Sequence, residues 1–440
     1  MHSYEGLDPA GGFKRKNLLS PLSLHDFRLL WTGMAVSLVG DGVFIVALAW
    51  QAYELSGTPT ALSLVGLAMT IPHIVFLLVG GAAADRVSRR NLMLLADVMR
   101  GAAVGAMALL SANGGLNLPA LSGLAALYGA ATAFFGPAFD AIVPDVVPKH
   151  LLGQANSIDQ LVKPLALRLA GPALGGWLIA ASGVAGALAF DALTFGVSAA
   201  ALMAMRVKVT HKPQSGSLVG DLSSGLKFVR AHVWLWGTFL AAAVAYLLFM
   251  GPVEVLLPFI VKVEMGRSAA VLGAVFAVGG IGSVLSAVLI GSRDLPRRWL
   301  AFIYICWTLS TLAIAGYGIA TLPWQLFLAS FAFNFLESAG TIVWVTIKQR
   351  LVPIQLLGRV SSLDWLISIG LLPVSFALTG VVSEAIGART TLVTAGCLGA
   401  LATASAFLLP GMRDSERASA RVLPPTGQDR SAVVLSGEPA

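Results

Sequence analysis

Long runs of apolar residues, each about 20 positions, alternate along the chain with short polar stretches. A run of this length lets an α-helix cross a hydrocarbon core roughly 30 Å thick. The apolar spacing is helical or absent, whereas a β-barrel needs strict alternation. The pattern predicts an all-α integral membrane protein with twelve transmembrane helices. Their centres are near Val39, Thr70, Val104, Leu127, Leu169, Phe195, Val244, Gly279, Trp307, Phe333, Ile369 and Ala400.

One segment occurs twice. VPKHLLGQANSID at Val147 to Asp159 returns as VPIQLLGRVSSLD at Val352 to Asp364, with seven of thirteen positions identical at an offset of 205. A repeat of this spacing indicates a duplicated architecture, and duplicated halves in membrane proteins usually meet around a solute path. We therefore expect two pseudo-symmetric six-helix bundles.

The polar stretches set the expected boundaries. Residues 1–28 form a cytoplasmic lead, and residues 411–440, rich in Pro, Ser and charge, form a disordered cytoplasmic tail. The bundles occupy 29–207 and 233–410, and 208–232 is a cytoplasmic linker. Within that linker, Asp221 to His232 is expected to form an amphipathic helix on the membrane surface.

Composition and charge support a membrane protein. The chain is 57% hydrophobic and 12% charged, so its apolar surplus must face lipid. The net charge of +7 does not indicate nucleic acid, because 23 of the 29 Lys and Arg lie in the termini and in the loops of one side. This bias predicts that both termini are cytoplasmic, and the expected location of the chain is a bacterial inner (plasma) membrane. No removable signal is seen, and Cys306 and Cys397 carry no metal or disulfide signature.

An acid lies near the middle of helix 1, in Gly40-Asp41-Gly42. A charge at that depth costs about 2.5 to 3.5 kcal/mol, so Asp41 should face a wet cavity or a partner. Because burial disfavours the charged form of a carboxyl group, Asp41 is a candidate to exchange a coupling proton near neutral pH. The alternative is a structural acid that is hydrogen-bonded to a neighbouring helix.

Residues 80–91, GGAAADRVSRRN, end helix 2 and form a basic turn. Small residues for close packing precede Asp85, which is followed by Arg86, Arg89 and Arg90. An acid there can meet a helix N-terminus while the arginines hold cytoplasmic acids, which predicts a latch that opens and closes as helices move. The alternative is that the arginines only fix topology.

This order, with Gly81 four residues before Asp85, resembles the helix 2 to 3 signature of the major facilitator superfamily, although Ser88 stands where that family usually has Gly. The resemblance implies the major facilitator fold and a rocker-switch carrier whose helices 1, 4, 7 and 10 line a cavity. The stretch FFGPAFDAIVPDVVP at the end of helix 4, with Asn156 and Ser157, resembles the branch of bacterial macrolide-efflux and enterobactin-export proteins.

Helix 3 contains Asp97 and Arg100, three residues apart and therefore on one helical face. We expect them to pair near the cytoplasmic end. We therefore group them with the basic turn as part of a cytoplasmic gate.

Helix 5 contains the run GPALGG at 171–176, which resembles the core of the helix 5 motif of proton-coupled exporters, with Leu167 replacing its usual leading Gly. Glycines four apart allow close helix contact and proline removes a backbone hydrogen bond, so a tight, bendable seam is expected. The alternative is a seam that serves packing alone. The predicted hinge consists of Gly171, Pro172, Gly175 and Gly176.

Helix 5 also carries Arg168, which at helical spacing shares a face with Gly171 and Gly175. At the repeat offset, Arg168 becomes Pro373 and Gly171 becomes Phe376. The second half lacks this chemistry. We therefore expect the proton-coupling machinery, including Arg168, to lie in the first half.

Two places in the second half are candidate sites. Glu254 lies between Pro252 and Pro258, where a broken helix at the outer cavity mouth is expected, and it would bind a cationic solute or take part in proton transfer. An ordinary interface acid is the alternative. On helix 10, three residues are expected to line a substrate cavity for an amphiphilic molecule. They are Phe331, Asn334 and Glu337.

The sequence thus favours a monomeric, proton-coupled exporter of a small amphiphilic compound, with the lipid bilayer as its environment and no cofactor beyond the proton gradient. No Walker-type GxxxxGK[ST] supports ATP coupling, and neither GxGD nor HExxH supports a protease. An importer of the same fold and a non-transporting receptor or scaffold are the alternatives.

Overall fold

The computed structural model describes residues 19–84, 87–148, 151–206, 218–291, 293 and 295–417, and this part of the chain is almost entirely helical. A 3₁₀ turn occurs at Ser20–Ser23, and π-helical turns occur at Leu165–Ala170 and Ile260–Glu264. The all-α prediction is confirmed. The α-helices are α1 His25–Leu55, α2 Pro59–Ala84, α3 Arg89–Ala112, α4 Leu118–Val146, α5 Leu152–Pro164, α6 Gly171–Ala204, α7 Leu218–Ala231, α8 Val233–Phe259, α9 Ala269–Gly291, α10 Trp299–Ile319, α11 Pro323–Leu351, α12 Ile354–Gly370, α13 Leu372–Ile386 and α14 Ala388–Ala406.

Within the described ranges, ten segments are long and apolar enough to span a bilayer. One of them, Val162–Ala204, has 43 residues, or about 65 Å of helix, roughly twice the hydrocarbon thickness. Residues 171 and 194 both lie against the same turn of α1, so the segment folds back between them. The reversal occurs at Gly183, whose φ of +73° favours glycine. This segment therefore counts as two crossings. The 19-residue α14, which packs on α8 and α10, adds one more, and the total is consistent with twelve crossings.

The duplication is visible in the helices. In both halves the repeated segment follows the end of a long helix, α4 or α11, and leads into a shorter one, α5 or α12. The span that begins there is interrupted at matching positions, by the π turn from Leu165 in the first half and by the break at Leu371 in the second. Both halves therefore bend the same span.

Close helix contacts join the halves along two lines, α6 against α9 and α2 against α13. A Cβ on Gly176 of α6 would lie 2.7 Å from the backbone oxygen of Ala269 and 3.0 Å from the Cα of Gly273 on α9. A Cβ on Gly66 of α2 would lie 2.5 Å from the Phe376 ring of α13. Small residues thus allow the approach of the two halves.

The buried core differs between the two ends of the bundle. We call the end with the α2–α3 turn the basic end. At the opposite end, one apolar cluster contains residues of both halves, among them Val43 and Leu48 of α1 and Val255 and Leu256 of α8. At the basic end, the described residues form separate clusters, one in each half. The halves are therefore joined at the opposite end.

Several boundaries differ from the predicted ones. α1 begins at His25 rather than Leu29, and the linker helix runs over Leu218–Ala231. The break that was expected around Glu254 is absent, because α8 continues through Pro252 and Pro258 to the π turn. The predicted disordered tail is wrong for 411–417, because the Oε1 atom of buried Glu416 accepts a hydrogen bond from Leu300 N at 2.8 Å. Residues 418–440 lie outside the described part.

Candidate functional site

A buried polar cluster occupies the middle of the first half. The Asp41 carboxylate of α1 accepts a hydrogen bond from Tyr128 Oη of α4 at 2.6 Å, and Arg100 Nη1 of α3 lies 3.8 Å from its other oxygen. Arg100 Nη2 donates to Asp97 Oδ1 at 2.5 Å. Side chains from two helices, α3 and α4, therefore hold the Asp41 carboxylate of α1.

The guanidinium of Arg100 lies between two aromatic rings. Its Cζ atom is 4.5 Å from the ring centroids of both Phe135 and Phe195, and its side chain is 3% exposed. A desolvated cation over aromatic faces gains about 2 kcal/mol. The rings hold the cation at the base of the Asp41 site and exclude water from it.

A third carboxylate lies behind the same turn of α1. A Cβ on Gly40 would lie 2.3 Å from Asp191 Oδ1, and that oxygen accepts from Thr194 Oγ1 at 3.2 Å. The other oxygen of fully buried Asp191 has no hydrogen-bond partner among the described residues. The absence of a side chain at Gly40 is what lets Asp191 approach α1.

Asp41 also reaches a cavity of about 260 Å³ between the halves. Its polar lining comes from Asp41, Tyr128 and Glu254, the last from α8 of the second half. Apolar and aromatic side chains such as Phe44 and Phe376 form much of the remaining wall. The cavity thus combines acids from both halves with an apolar surface, and the described residues contain no group of three or more His, Cys, Asp or Glu that fits a metal ion.

Arg168 and Glu337 meet across the halves. Arg168 Nη1 lies 3.8 Å from Glu337 Oε2, and Glu337 Oε1 accepts from Thr341 Oγ1 at 3.0 Å. Arg168 lies in the π turn. A π turn has more residues than the 3.6 of an α-helical turn, so the direction of the Arg168 side chain cannot be derived from α-helical spacing. The predicted common face with the seam glycines therefore does not apply.

Two predicted cavity residues lie elsewhere. Asn334 Nδ2 donates to Ser330 O at 2.9 Å and faces Gly279 of α9. Phe331 stacks on Phe335 at 5.8 Å. Neither lines the cavity that contains Asp41. Glu337 does not line that cavity either, so contact of these three residues with substrate stays a prediction.

The basic turn holds helices of its own half. Arg89 Nη1 donates to Asp145 Oδ2 at 2.6 Å, and Arg90 donates to the carbonyls of Leu202 and Met203, both at 2.6 Å. Arg90 thus binds the C-terminal end of α6, where a cation is favourable. Gly81 lies in α2, and Asp85 and Arg86 lie outside the described residues.

Asp97 and Arg100 pair with each other but do not belong to a gate at the membrane edge. Both are buried, and Arg100 contacts Asp41 rather than the basic turn. Their assignment to the cytoplasmic gate is therefore corrected. The i,i+3 spacing predicts the pair but not its depth.

The glycine seam contacts both α1 and the second half. A Cβ on Gly171 would lie 2.6 Å from the Cα of Gly42, and one on Gly175 would lie 3.0 Å from the Cα of Val43. Pro172 and Gly176 face Gly273 of α9. The seam therefore connects the helix that carries Asp41 to the interface between the halves.

A clamp closes the opposite end. Lys262 of the second π turn donates to Trp50 O at 2.8 Å, lies 4.4 Å from the Trp50 ring centroid and lies 3.6 Å from Glu54 Oε1. Tyr53 Oη donates to Val255 O at 2.7 Å. These contacts join α1 to α8 across the halves. Sequence reasoning assigned no role to Lys262, although its position in the alternate loops set it apart from most other cations.

Comparisons with known proteins agree with this architecture. The chain matches the family described as transmembrane secretion effector over residues 16–431. It is 28% identical over 413 residues to the multidrug efflux pump Tap of Mycolicibacterium fortuitum, covering 91% of this chain and 98% of that one. It is 22% identical over 386 residues to macrolide efflux protein A of Streptococcus pyogenes, covering 84% and 93%.

The fold has a counterpart among solved structures. A bacterial homologue of the iron transporter ferroportin, in an inward-facing state, superposes with a TM-score of 0.65 at 17% identity, covering 88% of this chain and 98% of that one. This likeness concerns the fold alone. With the family match across most of its length, the chain belongs to the transmembrane secretion effector family of the major facilitator superfamily.

Proposed function

We propose that the protein is a proton-coupled exporter of a small amphiphilic compound, such as a drug, a macrolide or a siderophore. The names of the relatives, a multidrug efflux pump and a macrolide efflux protein, support export. The observation that carries the proposal is Asp41, a carboxylate that faces the cavity between the halves and is bound from behind by Tyr128 and Arg100.

The charges of the cluster suit proton binding. One guanidinium, Arg100, lies among the carboxyl groups of Asp41, Asp97 and Asp191. Uncompensated buried charge is costly, so a proton on one carboxyl group relieves the imbalance. Asp41 is the member of the cluster that also faces the cavity, so it exchanges this proton with the solute path, and Glu254 and Glu337 contact substrate or share the proton.

The arrangement supports alternating access. The excess of Lys and Arg at the basic end supports a cytoplasmic position for that end and for both termini, and the proposed location is a bacterial inner membrane. The halves are joined at the opposite end, so the structure corresponds to an inward-facing state. Export then requires the clamp of Lys262 and Trp50 to open. Each chain holds its own cavity and works as a monomer, with the proton gradient as its energy source.

Uptake into everted membrane vesicles tests the proposal. A macrolide, a lipophilic amine and a catecholate siderophore are offered to vesicles with and without a pH gradient. We expect gradient-dependent accumulation of at least one of them, which disappears when an ionophore removes the gradient. Accumulation only in right-side-out vesicles would make the protein an importer, and no flux for any compound class would favour a receptor or scaffold.

A further inference from the structure

The repeated segment ends in an aspartate in each half, and the two aspartates have different surroundings. In the second half, Asp364 Oδ2 accepts from Lys348 Nζ at 2.6 Å and from Trp344 Nε1 at 3.1 Å. Lys348 and Trp344 are both buried. This aspartate is therefore enclosed by an indole and an ammonium group from α11.

The first half lacks both of these side chains. Offset by 205 positions, the counterpart of Trp344 is Phe139 and that of Lys348 is Val143. In their place, beside Asp159, lies a cavity of about 260 Å³. The shorter side chains leave open the space that the second half fills.

The cavity has an aromatic and acidic wall. Phe27 and Trp31 of α1 and Phe139 of α4 contribute rings, and Asp140 and Asp159 contribute carboxylates. Valine occupies the position of Asp140 in the second half. Aromatic faces with carboxylates attract an organic cation, whereas a bare metal ion prefers a full set of oxygen ligands.

Two polar atoms at this cavity lack partners. Trp31 Nε1 and Asp159 Oδ1 are both buried and neither has a hydrogen-bond partner among the described residues. A buried polar atom without a partner costs about 1 to 3 kcal/mol. Both atoms are enclosed by protein rather than open to the cavity, so they show that this wall is incompletely hydrogen-bonded and do not themselves contact a ligand.

The ammonium group of Lys163 already lies beside Asp159 and Phe139. Lys163 Nζ lies 2.7 Å from Asp159 Oδ2 and 5.5 Å from the ring centroid of Phe139. The Lys163 side chain is 40% exposed, so it is free to swing away. A cation is thus accepted between this carboxylate and this ring, and the lysine competes with any ligand for the position.

We propose that the pocket between α1, α4 and α5 binds a compact organic cation, an ammonium group carried on a small apolar or aromatic group, with Lys163 as the internal competitor. Trp31 lies ten residues before Asp41 on α1, which is about 15 Å along the helix. The pocket is therefore separate from the central cavity and lies toward the basic end. Binding there does not depend on proton coupling.

Calorimetric titration of the purified full-length protein with benzyltrimethylammonium tests the proposal. We expect saturable binding by the unmodified protein and, since the competitor is gone, severalfold tighter binding by Lys163→Met. Asp159→Asn should weaken binding about tenfold or more, the effect of losing a contact to a charged group. The double variant Phe139→Trp with Val143→Lys, which copies the second half, should abolish binding.

Controls separate this site from the central cavity. The binding that depends on Asp159 should persist in Asp41→Asn, and gel filtration and melting curves should match for all variants. Because Lys163→Met is expected to gain affinity, misfolding does not mimic its result. No saturable binding, unchanged or weaker binding by Lys163→Met, or binding lost in Asp41→Asn and kept in Asp159→Asn would each overturn the proposal.

Discussion

Arg168 of the first half lies 3.8 Å from Glu337 of the second half, and this ion pair crosses the interface near the central cavity. The Arg168 side chain is 52% exposed, so the pair contributes no more than about 1 kcal/mol to stability. An energy of that size still shifts an equilibrium between two conformations severalfold. We therefore expect the pair to affect the balance of states more than folding.

Neutralising Arg168 should change transport without changing stability. We expect Arg168→Gln to leave the melting temperature of the purified protein within a few degrees and to alter the transport rate up to about fivefold. The charge-swapped double variant Arg168→Glu with Glu337→Arg should recover most of the rate. A double variant no better than the two single variants would show that the pair itself has no role.

Loosening the clamp should open the opposite end. In Lys262→Met the contacts with the Trp50 carbonyl and Glu54 are lost, so the population of states with separated halves there should rise. Double electron–electron resonance between spin labels at exposed Thr58 and Arg267, in a chain with both cysteines replaced, measures this distance. Glu54→Gln serves as the milder control, because Glu54 is half exposed. Identical distance distributions in all variants would contradict the clamp.

The glycine seam should not accept a methyl group. In Gly176→Ala the new Cβ would meet the backbone of α9 at 2.7 Å, and a backbone does not yield as a side-chain end does. We expect a lower melting temperature and slower transport. Gly196→Ala, beyond the reversal at Gly183, is the control, since nothing lies within 4 Å of its Cβ, and it should be neutral or slightly stabilising. Equal effects of both changes would argue against a packed seam.

Removing the buried cation should destabilise the first half. Arg100→Gln leaves Asp97 buried without its charged partner, which costs about 3 to 5 kcal/mol. The double variant Asp97→Asn with Arg100→Gln should regain part of this loss, because neither charge then remains unpaired. Melting of the purified variants in detergent measures both effects. A double variant less stable than Arg100→Gln would contradict this pairing.

The apolar pattern predicted most of the fold. In lipid every backbone polar group must be hydrogen-bonded within the protein, so a spanning segment is a helix or part of a closed barrel. The length of each apolar run and the absence of alternation select the helix. The repeat ending at Asp159 and Asp364 predicted the duplication, and the spacing of Asp97 and Arg100 predicted their contact. These features depend on local geometry or on composition, both of which are present in one sequence.

The candidate site was less predictable. Tyr128, the partner of Asp41, is one aromatic among many, and its role depends on how α1 and α4 pack. The π turn at Leu165–Ala170 changes the direction of Arg168. Pro164, directly before it, marks an interruption of the helix but does not predict its form. Asn334 was placed correctly on its helix but turns to Ser330. Side-chain direction across helices follows from tertiary packing, which periodicity does not contain.

Transport by Asp41→Asn in proteoliposomes shows whether Asp41 carries the coupling proton. We expect this variant still to exchange labelled for unlabelled substrate across the membrane. It should no longer accumulate substrate against a gradient when a pH difference is imposed. Accumulation driven by the pH difference to the level of the unmodified protein would contradict the account.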